Sequence, residues 1–224
     1  MTVSTFTRII CVCILAYACK SQPNSNNQAP NNSRVGGAFE NPEFTYTKIP
    51  KVCATVDTSP GWKRNINRLH LTGTIYQSDG VTPAQGVVLY YYQTNEEGHY
   101  LHKPDEPRSM PPNENGQTHG YIRGWVVSDL NGRYDIYTIR PGVYPTRDAP
   151  AHIHATIIEP TINEYYIDDY VFDDDSLVTP SYVSKQELRC GSGILHLEKK
   201  DSVWEGKRNI VLGKNIPNYP STKH

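Results

Sequence analysis

Short runs in which apolar and polar residues alternate recur along most of the chain from residue 68 onward, and Gly, Asp, Asn and Pro separate them. The runs begin about every 10 to 15 residues, a spacing typical of β-sandwiches and barrels. No segment shows the apolar period of a helix. The sequence therefore predicts an all-β sandwich with long loops, and its strands are expected over residues 69–76, 86–93, 121–128, 133–139, 151–158, 194–198 and 207–212.

Two polar segments lie among or after these strands. Residues 101–120 contain four prolines and are too long for a hairpin turn, and long loops in compact domains are commonly functional. Residues 168–175 contain five aspartates. We interpret this second segment as an acidic surface loop rather than a calcium site.

The first residues have the pattern of an export signal. Arg8 precedes an apolar run over 9–17 that is shorter than the ~20 residues needed to cross a bilayer. Residues 1–19 are thus either an ordinary signal peptide cleaved after Ala18 or a lipoprotein signal that leaves Cys19 lipidated. Both alternatives predict an exported protein, secreted, periplasmic or anchored as a lipoprotein, and the second adds a membrane tether through Cys19.

The rest of the chain divides by composition. Residues 20–43 are rich in Asn, Pro and Ser and are expected to form a flexible linker. Residues 44–67 read as an N-terminal extension without a helical period, and 215–224 as a tail. Between them, 68–214 are predicted to form the sandwich domain, since a chain of 224 residues suits one domain with a sizeable core.

Charge and cysteines narrow the class of protein. Lysine plus arginine (22) nearly balance aspartate plus glutamate (23), which excludes nucleic acid as a partner on electrostatic grounds. Cleavage of the signal leaves Cys53 and Cys190 as the internal cysteines. An even pair in an oxidising compartment predicts a disulfide, with two buried thiols as the alternative.

The sharpest local feature is a His-x-His pair on a predicted strand. Alternate side chains of a strand share one face, so His152 and His154 are expected to point the same way. Two such imidazoles can share zinc, copper or iron, although a polar strand face explains many His-x-His pairs. Upstream, Tyr144 lies in a loop fixed by prolines and a glycine, and Tyr100 follows a turn over 95–98.

Four segments of the chain resemble the intradiol ring-cleavage dioxygenases, which include the catechol and protocatechuate dioxygenases. They are Gly-His-Tyr-Leu-His-Lys at 98–103, Asp-Leu-Asn-Gly at 129–132, 138–145 with its Arg-Pro-Gly-Val-Tyr-Pro, and Pro-Ala-His-Ile-His at 150–154. Their order and spacing match the family, and the similarity covers about 69–158. The family's catalytic fold is a β-sandwich, in agreement with the strand pattern.

The resemblance implies a metal site and an activity. The two tyrosinate ligands of the family fall on Tyr100 and Tyr144, and its two histidine ligands on His152 and His154, around non-haem Fe(III). The expected reaction cleaves a small aromatic diol with O2 between its two hydroxylated carbons and gives a muconate-type diacid. In the family the substrate displaces the tyrosinate that matches Tyr144, which makes this residue catalytic as well.

Several positions depart from the family pattern, among them Asp169, with which a family glutamine aligns loosely. The family commonly has an arginine immediately before Pro-Ala-His-Ile-His, whereas this chain has Ala149. Arg147 is the candidate for the same catalytic role from a differently shaped loop. Two further histidines, His99 and His102, flank Tyr100. We interpret them as solvent-exposed loop histidines, with a place in the lining of the pocket as the alternative, and we interpret His70, His119 and His196 as structural or surface residues.

Two other classes of function stay open at this point. The first is a non-catalytic metal- or ligand-binding sandwich at the cell surface, which the missing arginine favours. The second is a zinc or copper hydrolase or cupin-like protein that uses His152 and His154, but no Asp or Glu has ligand spacing within that strand. The sequence does not indicate an oligomeric state.

Overall fold

The computed structural model describes residues 34–64 and 66–221. The predicted export signal, Cys19 and the linker up to residue 33 lie outside this range. Eleven strands are present in it: β1 Val56–Thr58, β2 Arg68–Tyr76, β3 Val88–Gln93, β4 Arg123–Val127, β5 Arg133–Ile139, β6 His152–Ile158, β7 Tyr165–Phe172, β8 Ile194–Leu195, β9 Glu198–Lys200, β10 Val203–Lys207 and β11 Ile210–Val211. The helices are short: α1 spans Pro180–Val183, and 3₁₀ turns span Pro42–Thr45 and Pro60–Arg64.

The strands form two sheets, which confirms the predicted β-sandwich. One sheet has the order β1-β5-β2-β10-β9, with β11 paired to β2, and the other has the order β4-β3-β6-β7-β8. No helix in the described part of the chain is long and apolar enough to cross a membrane.

Alternation along the strands explains the core between the sheets. In β2, Leu69, Leu71 and Ile75 are fully buried, and in β6 the core residues are Ile153, Ala155 and Ile157. Burial of one large aliphatic side chain stabilises the fold by roughly 1.5 to 3 kcal/mol. Because neighbouring residues of a strand point to opposite faces, the even-numbered residues of β6 project from the outer face of their sheet.

The acidic loop predicted over 168–175 is wrong in its first half. Asp168 and Asp169 lie inside strand β7, whose aromatic and β-branched neighbours pack into the core. The Asp168 carboxylate accepts hydrogen bonds from the backbone N–H groups of Leu188 (3.0 Å) and Arg189 (2.9 Å). These hydrogen bonds offset the cost of burying the carboxylate. The aromatic and β-branched neighbours, which favour strands, therefore determine the local structure.

Other strand predictions differ at their ends. The strand expected over 194–198 is divided into β8 and β9, and only 210–211 of the strand expected over 207–212 pair as β11. Strands β1 and β10 are absent from the sequence prediction. Both pair in parallel with distant strands, β1 with β5 and β10 with β2, and a local pattern carries no signal for such pairing.

Both ends of the described chain pack against the sandwich. Arg34 forms an ion pair with Glu164, and the Gly36 N–H donates to the Pro217 carbonyl at 2.8 Å. Ile216 is buried, with 7 % of its surface exposed. Residues 34–43 of the expected linker and residues 215–221 of the expected tail therefore contact the sandwich through specific ion pairs, hydrogen bonds and apolar contacts.

The predicted disulfide is also wrong: Cys53 and Cys190 are free thiols. Cys53 is half-buried ahead of β1, next to Ala54, whose carbonyl accepts from the Val127 N–H. Cys190 is buried in the core, and its N–H donates to the Lys214 carbonyl. The even number of cysteines does not place them together, and burial raises the pKa of the Cys190 thiol to about 12, which makes it a poor nucleophile.

Candidate metal centre

The two histidines of β6 lie side by side on the outer face of their sheet. Their Nε2 atoms are 3.1 Å apart, and the rings are nearly perpendicular, with centroids 4.5 Å apart. His152 is buried and His154 is partly buried. Strand alternation thus delivers two ring nitrogens to one point, as the sequence predicts.

Hydrogen bonds at the other ring nitrogens fix which nitrogen is free. The Nδ1 of His152 lies 2.7 Å from the Pro150 carbonyl oxygen, and the Nδ1 of His154 lies 3.0 Å from Asp169 Oδ1. Both partners are acceptors, so each Nδ1 carries the proton and each Nε2 presents a lone pair. Two lone pairs 3.1 Å apart repel each other, and a shared cation relieves this repulsion.

Tyr144 brings a phenol to the same point. Its hydroxyl oxygen is 3.1 Å from His152 Nε2, 3.3 Å from His154 Nε2 and 2.8 Å from the Tyr100 hydroxyl. A turn in which the Arg147 N–H donates to the Tyr144 carbonyl at 2.8 Å holds the backbone. Three of the four side chains named from the sequence as metal ligands therefore converge on the hydroxyl of the fourth, Tyr144.

Contacts between two loops place Tyr100 opposite Tyr144. The Gly142 N–H donates to the Asn95 carbonyl at 2.9 Å, and the Asn95 side chain accepts from the His99 N–H at 2.9 Å. Gly98 has φ +81°, and a Cβ there would overlap the carbonyl oxygen of Val143. A glycine is therefore required where the Tyr100 loop approaches the Tyr144 loop.

A β-bulge brings Asp169 to His154. Ile153 of β6 pairs with Tyr170 of β7, but Ala155 pairs with Ile167, so β7 places Asp168 and Asp169 opposite His154 alone. The bulge reorients Asp169 towards the imidazole. Sequence reasoning missed this contact; the one signal was that a family glutamine aligns loosely with Asp169.

Asp169 completes a cluster of possible metal-binding atoms with the two histidines, which all lie within 4.8 Å of one another. Its carboxylate contacts His154 at Nδ1, whereas the Tyr144 hydroxyl lies on the Nε2 side. An ion bound at His154 Nε2 would therefore lie on the side of the Tyr144 hydroxyl and not on the side of Asp169. The geometry makes Asp169 the group that orients His154, with Tyr144 on the ligand side.

The donor set fits ferric iron. Oxygen and nitrogen atoms spaced 2.8 to 3.3 Å apart suit bonds of ~2.0 to 2.2 Å to one ion. Burial raises the pKa of both phenols, Tyr100 the more strongly, so both are neutral without a cation. A trivalent ion ionises them, and two phenolates with two neutral imidazoles form a hard donor set that favours Fe(III).

A cavity of about 670 Å³ opens beside these side chains, within the range of small-molecule sites. One wall is the outer face of the β3-β6-β7 sheet, a second is the N-terminal segment, and a third is the tip of loop 101–120, which supports the functional interpretation of that loop. The lining residues are Phe39, Glu40, Asn41, Phe44, Tyr92, Gly98, His99, Tyr100, Gly116, Gln117, Thr118, His119, Tyr144, His154, Ala155, Thr156, Tyr166 and Asp169.

Arg147 does not reach this cavity. Its side chain is exposed, its φ is +53°, and it is absent from the lining residues. Its catalytic role stays a prediction without a supporting contact.

Among the other histidines, the structure corrects one interpretation. His119, taken for a structural or surface residue, lines the cavity and stacks on Tyr92 with ring centroids 3.4 Å apart. Burial, followed by the nearby charges of Arg123 and His154, lowers the pKa of His119 to about 2. His99 lies exposed at the cavity edge, whereas His102 is exposed and contacts Ser109 at 2.8 Å.

Comparisons with known proteins indicate the family of the chain. A family model described as dioxygenase matches residues 40–202. The protocatechuate 3,4-dioxygenase beta chain of Burkholderia cepacia is 28% identical over 117 residues, which cover 50% of this chain and 47% of the relative. The chain therefore spans about half the length of the curated relative that it matches.

A solved structure from a mite shares the fold. The intradiol ring-cleavage dioxygenase from Tetranychus urticae superposes with a TM-score of 0.51 at 20% identity, over 77% of this chain and 91% of the other. The catechol 1,2-dioxygenase from Acinetobacter sp. ADP1 gives a TM-score of 0.49 at 19% identity, over 79% and 64% of the two chains. By its family-model match, the chain belongs to the intradiol ring-cleavage dioxygenase family.

Proposed function

We propose that this protein is a non-haem iron(III) dioxygenase that cleaves a small aromatic diol between its two hydroxylated carbons and gives a muconate-type diacid. The observation that carries the proposal is the convergence of Tyr100, His152 and His154 on the Tyr144 hydroxyl, in a chain of the intradiol family. The sequence resemblance assigns the same four residues as ligands.

Each ligand has a separate role in the proposed site. Bound ferric iron would supply a Lewis acid that activates a diol towards dioxygen. Tyr100 and Tyr144 would hold the ion as phenolates, and their negative charges would reduce the net charge of a site that is poorly solvated. His152 and His154 would contribute two neutral nitrogen ligands, so that the phenolates would not be the only protein ligands of the ion.

Tyr144 is the ligand suited to exchange with substrate. It lies on the turn closed by Arg147, and it contacts the other three ligand side chains, so its release opens a position in their midst. Its phenolate oxygen could then take a proton from the entering diol and become a neutral hydroxyl. The two imidazoles cannot take this proton, because their Nδ1 atoms already carry protons donated to Pro150 and Asp169 and their Nε2 atoms would hold the ion.

The cavity supplies the shape of the reaction site. Aromatic side chains of Phe44, Tyr92 and Tyr166 line it, and such surfaces suit a flat ring. His119 is neutral at physiological pH, so it adds a polar edge without a charge. The walls restrict the orientation of a bound diol relative to the ligands.

Oxygen consumption with catechol tests this function. The iron-loaded protein in air is expected to consume one O2 per catechol and to form an ultraviolet-absorbing muconate, whereas zinc-loaded protein is expected to do neither. A protein that binds iron and catechol without consuming oxygen contradicts the proposal and supports the alternative of a non-catalytic binding module.

We also propose that the protein is exported, secreted, periplasmic or tethered to a membrane through a lipidated Cys19. The support is the apolar run behind Arg8 and the small residues before Cys19, which lie outside the described residues. Mass analysis of the mature N-terminus tests this. A chain that retains Met1 in fractionated cells contradicts export, and a chain that begins at an unmodified residue contradicts the tether.

A further inference from the structure

The charged groups that line the cavity are acidic. Glu40 and Asp169 contribute carboxylates, and among the residues that the structure describes, no lysine or arginine lines the cavity. Asp169 is engaged with His154, so Glu40 is the carboxylate left to act on a substrate. Glu40 is exposed at the open mouth of the cavity, and a cleft lined by one sign of charge concentrates ligands of the opposite sign.

A hydrogen-bond chain holds Glu40 at the cavity edge. Its Oε1 accepts from Gln117 Nε2 at 2.6 Å, and Gln117 Oε1 accepts from Asn41 Nδ2 at 3.2 Å and Asn113 Nδ2 at 3.1 Å. The N-terminal segment and loop 101–120 are joined at this point.

Three cations near the wall have partners elsewhere. Arg123 is buried behind the wall and donates to the carbonyls of Phe44 at 2.7 Å and Thr47 at 2.9 Å. Arg34 and Arg189 stack on the rings of Phe39 and Tyr166, at 5.8 and 3.6 Å from the ring centroids. Arg34 forms an ion pair with Glu164. Arg189 donates to the carbonyls of Tyr166 at 3.0 Å and Gly36 at 3.0 Å.

Histidines do not supply the missing positive charge in the interior. Burial lowers the pKa of His119 to about 2, and His99 is exposed at the edge. A carboxylate on the substrate would thus meet Glu40 without a cation to pair with. A substituent that ends in an ammonium would instead meet a carboxylate acceptor.

We propose that Glu40 determines substrate specificity, so that this site selects catechols whose substituent is cationic or neutral and rejects catechols that carry a carboxylate. The inference rests on the proposed function and adds the substrate class to it. Attraction or repulsion by one partly screened carboxylate corresponds to about a tenfold change in affinity for each unit of substrate charge.

Three catechols matched in size test the proposal, each with a two-carbon substituent that ends in an ammonium, a methyl or a carboxylate. Their dissociation constants are measured on the iron-loaded protein under nitrogen, and kcat/KM in air. We expect affinity and kcat/KM to fall from ammonium to methyl to carboxylate, with about a hundredfold between the extremes. High salt should reduce the differences in affinity and kcat/KM between the three catechols. This measurement uses the unaltered protein and does not depend on the folding of a variant.

Variants assign the effect to one residue. Glu40→Gln keeps an acceptor for Gln117 and should reduce the difference in affinity between the ammonium and carboxylate catechols to a few-fold. Glu40→Lys should make the carboxylate catechol the preferred one. Glu43→Gln is the control, because Glu43 is exposed on the same segment but does not line the cavity, and it should leave the range unchanged.

The outcomes separate this inference from the function on which it rests. Preference for the carboxylate in the unaltered protein, or the same range in Glu40→Gln as in Glu43→Gln, overturns the role of Glu40 while ring cleavage stands. If none of the three catechols binds to iron-loaded protein, the proposed function fails and the specificity fails with it.

Discussion

At the scale of single residues, the site depends on which ring nitrogen each histidine leaves free. Pro150 and Asp169 take the Nδ1 protons of His152 and His154, so both lone pairs face the Tyr144 hydroxyl. The ligand types follow from the sequence motif, but the identity of the free nitrogen does not. It depends on a backbone carbonyl two residues away and on a bulge in the neighbouring strand.

Replacing Asp169 tests its orienting role. Asp169→Asn keeps the shape but loses the negative charge that fixes the His154 proton, and we expect iron affinity to fall about 10- to 100-fold. Competition with a chelator measures the affinity. Asp173→Asn is the matched control, since Asp173 contacts the His196 Nδ1 in the same way on the exposed surface, at 2.9 Å. Equal affinities in the two variants would contradict the role of Asp169.

At the scale of elements, the sheet positions the histidines and two loops position the tyrosines. Strands β2 and β5 are predictable because burial alternates along them, and β6 because Ile153, Ala155 and Ile157 bring every second residue into the core. Strand β7 is not, because Asp168 and Asp169 interrupt its apolar pattern. The convergence of Tyr100 and Tyr144 is likewise not predictable from local pattern, since it requires contacts between residues more than 40 positions apart.

A substitution at Gly98 tests the contact between the two tyrosine loops. Gly98→Ala adds a Cβ that overlaps the Val143 carbonyl, so we expect a loss of roughly 2 to 4 kcal/mol of unfolding free energy and weaker iron binding. Gly86→Ala separates strain from overlap, because Gly86 has φ +76° and open space. That control should lose only about 1 to 2 kcal/mol and bind iron normally.

Contacts with Glu164 hold the N-terminal segment against the sandwich. Burial alone would raise the pKa of this carboxyl, but hydrogen bonds from Tyr46 (2.6 Å) and Arg34 outweigh it and lower the pKa. A lowered folded-state pKa contributes stability above the unfolded pKa, and this contribution is lost as pH falls through the folded pKa. The contacts hold the segment that contributes Phe39, Glu40 and Phe44 to the cavity.

Glu164→Gln is therefore expected to cost about 1 to 2 kcal/mol near neutral pH and progressively less in acid. Urea unfolding of both proteins across the acidic range measures the difference. A difference that stays constant down to strongly acidic pH would show that the charge of Glu164 does not contribute.

At the scale of the whole molecule, the fold is stabilised by the core between two sheets rather than by a cross-link. Cys53 and Cys190 are free thiols, so the described part of the chain contains no disulfide between them. The pairing rule for exported proteins uses the number of cysteines and the compartment, and neither places two sulfurs within bonding distance.

Reductant is accordingly expected to leave the thermal midpoint of the protein unchanged. Thermal unfolding with and without dithiothreitol measures this directly. A fall of several degrees on reduction would correspond to loss of a stabilising bridge and would contradict the free thiols.

The visible spectrum of the iron-loaded protein tests the central claim most directly, because phenolate bound to Fe(III) gives a charge-transfer band that imidazole and carboxylate do not. We predict a wine-red protein whose band shifts and weakens in Tyr100→Phe and in Tyr144→Phe. Tyr137→Phe, which alters a ring stacked on His70, should leave the band as it is. Unchanged colour and iron content in both ligand variants would contradict the assignment of Tyr100, Tyr144, His152 and His154 as the iron site.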